Sequence, residues 1–99
     1  MASLKEKLVE DMKLAMKNKN EKKVAVIRMI RAAIKNEEIK KRKELNDEEV
    51  IKVMVKEIQQ HQESIARYDN FNKTETVVRL KKEIEIIADY LPQTVTNEL

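Results

Sequence analysis

The chain has 99 residues, no glycine, no cysteine, one proline, 39% charged residues, 3% aromatic residues and a net charge of +3. That length fits one domain. A sheet protein of this size needs tight turns, which recruit Gly and Pro, so the composition excludes a sheet-rich fold, a disulfide scaffold and a thiolate metal site.

The residues predict an all-α, bundle-like domain of about four helices. Ser3 and Glu6 stand at the spacing of a capping box, and Leu4, Leu8, Met12 and Ala15 then share one face of helix 1. Asn18 to Asn20 breaks the pattern. Helix 2 runs from about Glu21 to about Glu44, with Val26, Ile27, Met29, Ile30, Ala33 and Ile34 as its apolar stripe. Asn46, with Glu49 after it, opens helix 3, whose stripe is Val50, Met54, Ile58, His61, Ile65 and Tyr68. Asn70, Phe71 and Asn72 form the next break. Thr74 caps helix 4, which presents Val77, Leu80, Ile84, Ile87 and Leu91 and ends because Pro92 cannot continue it. Val78, Ile86 and Tyr90 give helix 4 a second apolar side, open to another helix, another domain or another chain. Thr96 to Leu99 has the pattern of a helix start, so the chain reads either as a fragment of a longer protein or as a naturally short one.

Charge is distributed unevenly. Lys22 to Lys43 holds nine Lys or Arg and two acids, a local +7 in a chain of +3. At 100° per residue, Arg28, Arg31, Lys35 and Arg42 fall within a roughly 60° arc beyond the edge of the apolar face. Two readings stand. The arc is a solvated face with cations near a helix C-terminus, where the macrodipole favours them. Alternatively it tracks phosphates, which guanidinium forks bind well. No aromatic residues interleave with these cations, so duplex or structured RNA fits better than single strands.

Catalytic and metal-binding patterns are weak. With one His and no Cys, a metal would need carboxylates, and a Glu57–His61–Glu38 set rests on a bare helical pair. His61 lies inside the helix 3 stripe and reads as a core imidazole with one hydrogen bond. Ser64 follows it, but no glycine exists to shape an oxyanion hole or a phosphate loop. No catalytic residue, cofactor site or metal site is assigned. No apolar run approaches the roughly 18 residues of a membrane span, and MASLKEKLVED lacks the apolar core of a signal peptide. These features predict a cytoplasmic protein.

The stretches SLKEKLVEDMKLAMKNKN, VIRMIRAAIKNEEI, LNDEEVIKVMVKEIQQHQESI and IIADYLP resemble the YqeY family, relatives of the B subunit of the tRNA-dependent amidotransferases (GatB/YqeY). The resemblance covers nearly the whole chain and implies a single helical N-terminal domain over residues 1–99, without the family's C-terminal tail domain. It further implies an accessory or adaptor role in tRNA-linked amidotransfer, a carbon–nitrogen ligase chemistry with glutamine as amide donor. The implied partners are tRNA or an amidotransferase-type protein. The alternative is a protein–protein interaction module with no nucleic-acid role.

Overall fold

The computed structural model describes residues 3–71 and 73–99. Five helices fill it: α1 (Leu4–Lys17), α2 (Glu21–Lys41), α3 (Asp47–Asp69), α4 (Thr74–Ala88) and α5 (Gln93–Thr96). No strand occurs among the described residues, so the all-α class expected from the sequence holds. No helix among them is long and apolar enough to cross a membrane. Contacts divide the chain into two units, Met1–Val53 and Met54–Leu99, and α3 contributes to both.

In the first unit α1 starts where the Ser3 side chain accepts the Glu6 N–H at 3.2 Å. A second orphan donor, the Leu4 N–H, finds the Asp47 carboxylate at 3.0 Å. The turn into α2 has no glycine to use, so Lys19 takes the left-handed conformation at φ 58°. The Asn20 N–H reaches back to the Ala15 carbonyl at 2.8 Å, and the Asn20 side chain then caps α2 by accepting the Lys23 N–H at 3.2 Å. Leu8, Ala15, Val26, Ile27, Ile30 and Ile34 are buried, the stripes read from the sequence. Each fully buried Leu or Ile contributes about 1.5–3 kcal/mol.

α2 stops at Lys41, short of the expected Glu44. Arg42 turns left-handed at φ 54°, and the N–H groups of Arg42 and Lys43 both close on the Glu38 carbonyl. A non-glycine residue there costs roughly 1–2 kcal/mol. Burying Leu45 and starting α3 supply the compensation. Asn46 and Glu49 form a reciprocal capping box, with bonds of 3.1 and 3.0 Å.

In the second unit the α3 stripe buries Met54, Ile58 and His61. It fades earlier than expected. Ile65 is half-buried, and Tyr68, one residue before α3 ends at Asp69, is 39% exposed. On α4, Val77, Leu80 and Ile87 are buried, as is Leu91 just beyond it. Three expectations need correction. Thr74 is the first residue of α4, whose cap is Lys73 without a side-chain bond. α4 ends at Ala88, before Pro92 acts, because the Tyr90 and Leu91 N–H groups tighten onto the Ile87 and Ala88 carbonyls, both at 3.0 Å. Pro92 then caps α5, and Thr96 is that helix's last residue, its hydroxyl donating to the Pro92 carbonyl at 3.1 Å. Thr96–Leu99 is therefore the end of a helical turn. The proline's fixed φ starts helix geometry upstream of the polar pair that resembled a cap. Of the expected Asn70–Asn72 break, Asn72 lies outside the described residues.

His61 is 8% exposed, as its place in the stripe predicted. It makes two polar contacts, one more than expected. Nδ1 lies 3.0 Å from the Glu57 carbonyl and Nε2 2.8 Å from Glu83 Oε1. A carbonyl only accepts, so Nδ1 carries a proton. Nε2 faces the Glu83 carboxyl, so both ring nitrogens have a polar partner.

His61→Ala leaves the Glu83 carboxyl without its ring partner, a loss of about 1–3 kcal/mol. Thermal melts should show a fall of roughly 5–15 °C for a domain of this size. His61→Asp should fall further, because it sets a second carboxylate against Glu83. Wild-type melting in both variants would mean that the contact contributes nothing.

Candidate functional site

Three of the four cations singled out in the sequence sit together on α2. Arg28, Arg31 and Lys35 are all exposed. Arg28 to Lys35 rises about 10 Å along the axis. None of the three forms an ion pair among the described residues. Arg31 donates from Nη1 to the Met12 sulfur at 3.6 Å, a weak contact that aligns the side chain across the α1–α2 seam. Arg42 is exposed too, but it lies past the helix end, and its left-handed backbone takes it off the helical arc.

The cations at the end of α2 are in a different state. Lys41 approaches Glu37 at 3.9 Å and Glu49 at 3.6 Å, and Lys43 meets Glu49 at 3.0 Å. Glu49, reached only after the chain has turned into α3, thus offsets part of the +7 segment. The sequence offers the Glu37–Lys41 pair by its spacing of four, but nothing local signals the Glu49 contacts. Arg28, Arg31 and Lys35, in the middle of α2, stand outside these pairs.

Two grooves follow the α1–α2 seam beside these cations. The first, of about 490 Å³, has apolar lining from Val9, Ala32 and Ile34 and charged lining from Lys5, Arg31, Lys35 and Glu38. The second, of about 420 Å³, lies nearer the turn, between Met16 on α1 and Ala25 and Arg28 on α2. Both were invisible in the sequence, because a groove needs two helices side by side.

Glu38 closes one end of the first groove. Its Oε2 accepts from Lys5 Nζ at 2.6 Å and from the Leu45 N–H at 3.0 Å. The Lys5 hydrogen bond, then the Leu45 N–H, hold this carboxyl below its ordinary value of 4.5, and the same bond raises Lys5 above 10.5. Glu49 is also lowered, first by the Asn46 N–H and then by Lys43. Glu38 is thereby committed to structure. Glu57, the other carboxylate considered as a metal ligand beside His61, meets that ring by its backbone carbonyl. Chemically, the site offers cationic hydrogen-bond donors beside an apolar floor, which suits an anionic ligand.

A carboxyl lowered on folding stabilises the folded state fully above its unfolded value and loses that contribution as pH falls through its folded value. Glu38→Gln should therefore melt below wild type near neutral pH, and the gap should narrow steadily below pH 4.5, the ordinary value. Melting curves that stay equally far apart down to strongly acidic pH would count against this role.

Comparison with known proteins adds one finding. A family model described as Yqey-like protein matches residues 5–99. No curated protein matches the chain. The family match takes in every helix of both units, including the hairpin that carries the cations, and with nearly the whole chain covered the protein belongs to the YqeY family.

Proposed function

We propose that this domain is an accessory or adaptor in tRNA-linked amidotransfer, and that Arg28, Arg31 and Lys35 hold RNA phosphates along the exposed edge of α2. The observation that carries the reading is the contrast in pairing. Glu37 and Glu49 pair with Lys41 and Lys43 at the helix end, while Arg28, Arg31 and Lys35 at the centre form no ion pair among the described residues. The rise of about 10 Å from Arg28 to Lys35 lets the three side chains reach separate phosphates of one strand. Such contacts position a nucleic acid without reading its sequence. In this reading the amide-transfer chemistry belongs to an amidotransferase-type partner, and the domain supplies affinity. Arg42, displaced from the arc, contributes less than the other three.

A second reading, a protein–protein interaction module with no nucleic-acid role, draws on α4. Val78 there is 59% exposed, and Ile86 and Tyr90 are half-buried on the helix's second apolar side.

A tRNA titration at two salt concentrations separates the readings. Three phosphate contacts give a log–log slope of about −2 to −3, so affinity should fall roughly 20- to 40-fold between about 50 and 200 mM salt. Replacing Arg28, Arg31 and Lys35 by Gln should flatten that slope and leave the helical signal intact. Replacing Lys52, Lys56 and Lys81 by Gln is the charge-matched control. Equal losses in both triple variants would reduce the effect to net charge, and no tRNA binding at low salt would leave the interaction module.

A further inference from the structure

Phosphate binding uses the cations of α2 and leaves the grooves beside them unexplained. Along the seam, Val9, Met12 and Met16 on α1 repeat at spacings of three and four, and Ala25 and Ala32 on α2 stand seven apart. Both spacings keep side chains facing one neighbour along a helix. These residues form a second stripe, apart from the buried one that joins α1 to α2. It is open: Met16 is 51% exposed, and Ala25 and Ala32 are exposed as well. The two grooves, about 490 and 420 Å³, lie in line along it, with the Arg31–Met12 contact between them. From Lys5 to Met16 the seam rises about 16 Å, or about three helical turns.

The charge of the lining selects the occupant. Lys19, Arg28, Arg31 and Lys35 line the grooves without a carboxylate at ion-pair distance among the described residues, against two acids: Glu38, which Lys5 and the Leu45 N–H already hold, and Glu21, the first residue of α2. Short side chains at Ala25 and Ala32 allow a backbone to approach, and the methionines adapt to the apolar side chains laid on them. We infer that the α1–α2 seam is a docking groove for one acidic amphipathic helix of a partner protein. Its apolar face lies on the Val9, Met12 and Ala32 floor, and its carboxylates meet Arg28, Arg31 and Lys35. Because this helix and RNA phosphates use the same cations, the two ligands exclude each other, and the groove becomes a switch between a protein-bound and an RNA-bound state.

The probe is a synthetic helical peptide of about five turns, with leucines on one face and glutamates beside them. Its control has the same composition, scrambled so that the leucines share no face. Fluorescence anisotropy with the full chain should show the amphipathic peptide binding at least about tenfold tighter than the scrambled one. It should also show the peptide displacing tRNA. The double variant Ala25→Trp, Ala32→Trp fills the groove without changing charge. It should lose at least about tenfold in peptide affinity and keep its affinity for tRNA. Equal binding of the two peptides would overturn the inference, since charge alone would explain it. So would peptide affinity unchanged by the tryptophans. Concentration-dependent dimerisation in sedimentation, abolished by the tryptophans, would assign the seam to a second copy of the chain and also overturn it. Selective peptide binding in a chain that binds no tRNA would uphold the groove and remove the RNA reading alone.

Discussion

Glu38 Oε2 accepts two hydrogen bonds at once, one from Lys5 near the start of α1 and one from the backbone of Leu45 on the way into α3. The backbone carbonyl of the same residue closes the left-handed turn that ends α2. One residue therefore ties together three segments distant in sequence. Asp47 completes the circuit by giving its carboxylate to the first N–H of α1. The consequence is geometric. With α1 held along α2, the seam between them has a fixed width, and Arg28, Arg31 and Lys35 project from a helix secured at both ends. A charge-assisted bond suits this role, being roughly twice as strong as a neutral one.

The second unit uses different chemistry for a similar end. Its buried polar contact is the His61–Glu83 pair, which links α3 to α4 inside an otherwise aliphatic core. Both ring nitrogens have partners, so the imidazole is satisfied where it is buried. A satisfied buried pair adds specificity to packing, because a slipped helix would part the Glu83 carboxyl from the ring. The same engagement removes His61 from the groups free to act on a ligand.

Charge allocation then separates structure from function. The chain carries 21 cationic and 18 acidic side chains, and the folded state pairs them selectively. Glu37, Glu38 and Glu49 gather around the α2–α3 turn and meet Lys41, Lys5 and Lys43 there. Surface pairs of this kind contribute little individually, and their effect here is on where positive potential survives. Along the middle of α2, Arg28, Arg31 and Lys35 stay outside these pairs, beside a groove with an apolar floor.

Helix content and core faces were legible in the residues themselves, because a period of about 3.6 is a property of the chain and needs no partner to be read. The Ser3 and Asn46 caps and the burial of Leu8, Ile27, Ile30, Met54 and Ile58 were local consequences of the same kind. The helix ends after Lys41 and Ala88 were not, because both are set by backbone bonds closing on particular carbonyls, at Arg42 in a conformation that sequence normally reserves for glycine. His61 could be placed in the core from its spacing, but Glu83 could not be named as its partner, since 22 residues and a turn separate them. For the site, the sequence determined that Arg28, Arg31 and Lys35 share an arc. Only the tertiary structure decided that Arg42 leaves it, that Glu49 offsets the cations beyond it, and that a groove runs beside the rest. Each of those depends on which segments meet in space, and one helix's periodicity carries no information about its neighbour.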